Sequence, residues 1–238
     1  MSIAENIAQI RERIHAAASR ARRDPEAVAL MAVSKTFPPE AIREAYEAGI
    51  RVFGENRVQE FDSKAEALRS LADARWHMIG HLQTNKAGKA AELFHAIDSV
   101  DSLKLAEKLN DAAGKYGKKI AVLIEMNVGG EAAKSGVPAD SPALEKILSS
   151  AARLECLEIT GLMTIPPYTD DPQSARPYFR KLRELRDQIA ARNFPSISMT
   201  TLSMGMSHDF EIAIEEGSTC VRIGTAIFGE RKPERSKA

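Results

Sequence analysis

The chain has 238 residues, 44% of them hydrophobic and 28% charged, with 33 basic side chains offset by 33 acidic ones. That length predicts one domain able to bury a full core, and a net charge of zero excludes the sequence-wide field that gathers nucleic acid or an anionic membrane by charge alone. Cys156 and Cys220 stand far apart with no CxxC spacing, which excludes a disulfide framework and a thiolate zinc site and makes both expected core residues of a cytoplasmic protein.

Ile3, Ile7, Ile10 and Ile14 recur at helical spacing and predict an additional N-terminal helix over 1–20, set beneath the sheet or along its side. Glu5, Arg11 and Arg13 interrupt that stretch, which argues against a secretory signal. No later run is apolar for long enough to span a bilayer.

Eight strand-length apolar runs then alternate with longer segments of helical period. They are VALMAVSK from Val28, RVFGEN from Arg51, WHMIG from Trp76, AIDSV from Ala96, IAVLIEMNV from Ile120, LEITGLMTI from Leu157, ISMTTLSMG from Ile197 and CVRIGTAIFG from Cys220. Alternation of this kind is the sequence form of a parallel sheet with helical crossovers, and eight parallel strands predict a single closed (β/α)₈ barrel. The intervening segments agree. Pro38 and Pro39 open a helix whose small or apolar face is Ile42, Ala45, Tyr46 and Gly49; Val58, Phe61, Ala65 and Leu68 form a second such face. Ser141 and Pro142 precede Leu144, Ile147, Leu148, Ala151 and Leu154, and Tyr178, Leu182, Leu185 and Ile189 make the longest stripe. The tail from Arg231 is polar and expected to fray.

The active end of such a barrel lies at the carboxyl ends of its strands, so the polar residues there are the candidates. Lys35 ends the first run, on the face of Val33, where apolar neighbours would lower an amine pKa as a Schiff-base lysine requires; by position alone it is equally a solvated strand-end lysine. Asn56 reads from the residues as an N-cap. His81 reads as a packed or stacking residue, since no second ligand cluster stands at a metal spacing. Asp98 and Asp101 read as caps of the next helix. Asn127 and Thr164 would either orient a ligand or satisfy backbone groups. After the last two strands, LSMGMS from Leu202 and RIGTAIFG from Arg222 place glycines and hydroxyls where this fold binds phosphate. Ser203, Gly224 and Thr225 are the candidate ligands, although Gly205 and Gly224 could simply turn the chain. Arg222 alternates with Cys220 and Gly224, placing a guanidinium inside the rim, where it must meet a carboxylate or a ligand.

These residues carry a resemblance. AVSKTFPPEAI around Lys35, FGENRVQE from Phe53, WHMIGHLQTNK from Trp76, GLMTIPP from Gly161, LSMGMSHDFEIAI from Leu202 and VRIGTAIFGER from Val221 are similar, in order, to the pyridoxal-phosphate homeostasis protein family. That family resembles the barrel domain of alanine racemase, the type III fold of proteins that bind pyridoxal 5′-phosphate (PLP). The resemblance implies a single PLP-binding domain over 1–238, with Lys35 as the Schiff-base lysine, Asn56 and Ile79 beside the ring, and Ser203, Gly224 and Thr225 around the phosphate. It implies Arg222 at the pyridine nitrogen, which keeps the ring a weak electron sink. It also implies a carrier or regulator of the cofactor without established catalysis, PLP-dependent enzymes as recipients, and a monomer or weak dimer. His208 departs from the acidic residue frequent at that helix start.

Two other functions compete. An amino-acid racemase would need a second proton carrier opposite Lys35. Tyr46, Tyr116 and Tyr178 fall in predicted helices, only Tyr168 can approach the mouth, and after the eighth run no second domain is expected. A phosphate-binding barrel enzyme without PLP would need only the last two loops.

Overall fold

The computed structural model describes residues 1–130 and 135–230; the polar tail expected at 231–238 lies outside the described residues. Helix α1 (Ile3–Arg20) begins behind a capping box, in which the Ser2 hydroxyl accepts from the Glu5 amide and the Glu5 carboxylate accepts from the Ser2 amide. The strands are β1 (Ala29–Val33), β2 (Val52–Glu55), β3 (Arg75–Met78), β4 (Ala96–Val100), β5 (Ile120–Asn127), β6 (Val137–Pro138), β7 (Leu157–Met163), β8 (Ile197–Ser203) and β9 (Cys220–Ile223). Eight of them, all but β6, pair in parallel around a ring, and β1 closes on β9 with Ala29 opposite Cys220 and Met31 opposite Arg222. The eight expected runs are these eight strands.

Strand β6 was not expected. Its two residues pair only with Met126 and Asn127 at the end of β5, a length too short to show a period of two.

Between the strands run α2 (Pro39–Glu47), α3 (Val58–Ala65), α4 (Ala87–Leu93), α5 (Leu103–Lys115), α6 (Pro142–Ser150), α7 (Arg176–Ala191), α8 (Phe210–Glu215) and α9 (Thr225–Phe228). Helix α1 packs along the side of the barrel, against α2, α8 and α9, and the Asn6 amide donates to the Ile227 carbonyl at 2.8 Å. Proline at the first turn of α2 and α6 costs nothing because its missing N–H would have no intrahelical acceptor.

The main core lies between barrel and helices, where outward strand residues such as Phe53, Trp76, Ile97, Val122 and Leu202 meet the helix faces. Phe61 of α3 centres an aromatic group, 4.7 Å from the Trp76 ring and 5.0 Å from Phe94. Each such fully buried side chain contributes about 1.5–3 kcal/mol. The stripe of α7 differs from expectation: Phe179 is fully buried while Tyr178 and Leu185 are only half-buried. The helix is oriented so that Arg176, Arg180 and Arg183 converge on the buried carboxylate of Glu216, and satisfying that carboxylate fixes which hydrophobic faces inward.

Candidate functional site

Inside the barrel the composition changes. A small apolar group of Met31, Val33, Ile79 and Cys220, with Val52 against it, fills one side. Beside this group and the buried Leu123 the interior also holds polar side chains, whereas barrels of this kind are ordinarily packed with branched aliphatic layers. Arg222 is 3% exposed. Its guanidinium donates to Ser203 Oγ at 2.7 Å and to the Thr164 carbonyl at 2.7 Å. No carboxylate lies within salt-bridge distance of it among the described residues. Burial lowers the pKa of this arginine, with Cys220, Asp98, Asp209 and Glu125 opposing. The Cys220 thiol is itself pushed up to about 12 by burial, so it is inert packing.

Lys35 follows β1 in the row of Met31 and Val33 and is half-buried. The other side of its segment is bound to β2 and α3. Ser34 donates its hydroxyl to Glu55 at 2.7 Å, and the Thr36 amide donates to Glu60 at 2.5 Å. Thr36 itself has φ +68°, a left-handed conformation uncommon for a β-branched residue. Asn56 does not cap a helix: Arg57 holds the N-cap position of α3. The Asn56 side chain is half-buried, and its amide makes no hydrogen bond among the described residues. Gly80 fixes its backbone, since a Cβ there would fall 2.4 Å from the Asn56 carbonyl.

On the opposite rim β9 ends at Ile223, and Gly224 lies beside Val33. Thr225 opens α9, exposed and with no side-chain hydrogen bond among the described residues. The loop after β8 reaches over to it: Ser207 Oγ accepts from the Ala226 amide at 3.5 Å. Gly205 makes the turn possible, with φ +95° and the space of its missing Cβ filled to 2.6 Å by Ala213. Ser203 sits deeper than Gly224 and Thr225, opposite Cys220 in register and fully buried, with its hydroxyl engaged by Arg222.

Sequence reasoning missed Ser207 and Glu125. Glu125 lies on the inward face of β5 with Leu123, 5% exposed. Burial raises its pKa, against a hydrogen bond from Ser135 at 2.9 Å. The signal for Glu125 was an acid inside an otherwise apolar strand; the signal for Ser207 was a second hydroxyl closing SMGMS.

Other expectations are corrected. Asp98 does not cap a helix but bonds His77 Nδ1 at 3.0 Å inside the barrel, and Asp101 bonds His81 Nδ1 at 3.1 Å, while Ser102 caps α5. His81 is therefore exposed and paired, not packed. Asn127 accepts from the Gly130 amide and Thr164 donates to the Met126 carbonyl, so both satisfy backbone groups. His208 precedes the cap residue Asp209 instead of starting α8; its ring lies 5.5 Å from that of Tyr168, which is 75% exposed. Cys156 is half-buried and lines a cavity of about 820 Å³ with Lys118, Thr160 and Ser196. That cavity lies at the amino ends of β5, β7 and β8, the far end of the barrel from Lys35.

Fold and rim together define a (β/α)₈ barrel with a lysine at the end of its first strand and an arginine inside its last. The sequence profile described as "Alanine racemase, N-terminal domain" matches residues 5–232. A pyridoxal phosphate homeostasis protein of Aquifex aeolicus is 49% identical over 98% of this chain and 100% of its own length. Its counterpart in Pseudomonas aeruginosa is 46% identical over 97% and 96%. The structure of PipY from Synechococcus elongatus with PLP bound superimposes with a TM-score of 0.83 at 38% identity, over 96% of this chain and all of that one. The chain belongs to the pyridoxal phosphate homeostasis protein family.

Proposed function

We propose that this chain holds PLP at the mouth of the barrel through Lys35 and acts as a carrier or regulator of the cofactor, not as a catalyst. The observation that carries this reading is the donor set around the mouth. Arg222 is buried against two neutral acceptors, and among the described residues the Asn56 amide and the Thr225 hydroxyl, at the turn from β9 into α9, take no hydrogen-bond partner. A flat ring bearing an acceptor nitrogen at one end and a phosphate at the other fits such a set.

PLP supplies an aldehyde that condenses with an amine and a pyridine ring that draws electrons. The chain's residues do the rest. Lys35 offers the amine, following Met31 and Val33 in the row of the small apolar group at the mouth. Asn56 donates beside the ring. Gly224 and Thr225 receive the phosphate, the glycine by close approach and the threonine by its hydroxyl; Ser207 ties their turn to the loop after β8. Arg222 donates an N–H to the pyridine nitrogen without giving up its proton, and Ser203 holds the guanidinium in place. An acceptor nitrogen left unprotonated makes the ring a poor electron sink, which favours holding the cofactor over carbanion chemistry.

Among the described residues no helix is long and apolar enough to cross a membrane. PLP-dependent enzymes as recipients, a cytoplasmic location, a monomer or weak dimer, and one domain over 1–238 complete the reading.

The test is an absorption spectrum of the purified protein before and after borohydride, with peptide mapping. A visible band that reduction converts to a pyridoxyl group on Lys35 is the expected outcome, and Lys35→Ala should abolish that adduct while leaving the melting temperature within a few degrees, because a strand-end lysine adds little to the core. A colourless protein that takes up no added PLP overturns the reading. Turnover of a chiral amino acid would favour the racemase instead.

A further inference from the structure

Beneath the segment that carries Lys35 lies a cluster of charges that the binding site does not use. Lys64 of α3 is 7% exposed and Glu55 of β2 is 0% exposed. Lys64 Nζ lies 3.0 Å from Glu55 Oε1 and 2.9 Å from Glu60 Oε1. It also donates to the carbonyls of Ser34 and Phe37 at 3.3 and 3.4 Å. With the Ser34 hydroxyl on Glu55 and the Thr36 amide on Glu60, four hydrogen bonds run from this cluster to residues 34–37.

The arrangement is expensive for what it gives the fold. Glu55 Oε2 is buried with no partner among the described residues, and burial raises the Glu55 carboxyl above its ordinary pKa despite the charge of Lys64. Buried ion pairs of this kind are often matched or bettered in stability by apolar residues of the same volume, and such residues are at hand: Phe61 one turn away and Val58 on the same helix, and Leu68 in the turn that follows it. What the charges provide that apolar residues could not is direction. Each bond ends on a backbone or side-chain atom of one four-residue segment, and that segment includes Thr36 in a left-handed conformation its sequence does not favour.

We infer that the buried Glu55–Lys64–Glu60 cluster positions Lys35, holding residues 34–37 in the conformation that presents its amine to the barrel mouth. The three are positioning residues: they bond the segment on both sides of Lys35 and act on the amine through it. The inference rests on the reading of Lys35 as the covalent anchor.

Glu60→Ala is the primary variant, because Glu60 is half-buried and its loss leaves the Lys64–Glu55 pair to keep the core neutral; Glu60→Gln retains an acceptor for the Thr36 amide and serves as the conservative rescue. Lys64→Met is the second variant. Three readouts are taken on the full chain: the rate at which added PLP forms a borohydride-trappable adduct on Lys35, the affinity for a PLP analogue lacking the aldehyde, and hydrogen exchange of the peptide spanning 34–37 without any ligand. The expected result for Glu60→Ala is adduct formation slowed about tenfold, analogue affinity within about twofold of the parent, faster exchange confined to the segment, and recovery in Glu60→Gln. A merely structural role would lower both affinity and adduct rate together, which overturns the inference. So do unchanged rate and exchange in both Glu60→Ala and Lys64→Met, an outcome that leaves Lys35 as anchor. If the parent forms no adduct on Lys35, the anchor reading fails and this inference with it.

Discussion

The two cores of this molecule are built on different principles. The outer one, between strands and helices, is continuous and apolar, with Phe53, Trp76, Phe61 and Phe94 linked ring to ring in that order. The inner one is mixed: Met31, Val33, Ile79 and Cys220 cluster on one side, and Arg222, Ser203, Asp98, His77 and Glu125 bring polar groups into the rest. Burying polar groups costs free energy unless each is satisfied, so the inner core gives up stability that the outer core must supply. The division teaches where to look for function in a barrel: stability resides outside the strands and chemistry within them.

That contrast can be broken by experiment. The largest effect is expected from Phe61→Ala, which should destabilise by about 3–5 kcal/mol through lost contacts and a cavity, with the affinity for PLP measured well below the melting temperature nearly unchanged. A similar loss of affinity and stability would erase the distinction. Arg222→Gln should do the reverse. Removing a charged donor costs about 1.5–3 kcal/mol of binding, roughly tenfold to a hundredfold in Kd, and spectroscopic titration with PLP reads it directly. Thr225→Val is smaller, about 0.5–1.5 kcal/mol, because only the hydroxyl is removed and the backbone at Gly224 stays; an unchanged Kd would take Thr225 out of the site.

The subtlest test concerns pH. Burial raises the Glu125 pKa above its unfolded value, so the native state binds the proton more tightly than the unfolded chain. Its contribution is fully present below the unfolded pKa and is lost as pH rises through the folded one. Glu125→Gln, which cannot ionise, should therefore gain stability relative to the parent as pH is raised from 4 to 8, read as denaturant midpoints. A difference independent of pH would show that Glu125 is solvated in the native state.

Much of the fold was legible in the sequence, for a physical reason: each barrel strand is an apolar run bounded by polar turns, and period reports which face is buried. The polar partners were not legible. Asn56 looked like a cap because asparagine before a helix ordinarily is one, yet Arg57 occupies that position. Asp98 looked like a cap for the same reason, while its partner His77 lies on the neighbouring strand, reachable only after β3 and β4 pair. Lys64 gave no signal at all: a lysine on an amphipathic helix reads as solvated, and only the folded chain brings Glu55 beneath it. Ser203 was legible as a residue of the last loops but not in its depth, which follows from its register with Cys220.

Closure of the ring has a kinetic consequence. Strand β1 meets β9, so Ala29 is hydrogen-bonded in register with Cys220 from the far end of the chain, and α1 lies over that seam against α2, α8 and α9. Pairings so distant in sequence pay a large loop-closure entropy and form slowly. The seam also divides the rim: Lys35 follows the strand on one side of it, and Arg222, Gly224 and Thr225 belong to the other. A chain with β9 unseated carries half a rim, so uptake of a ligand that needs both halves is a clock for the last step of folding.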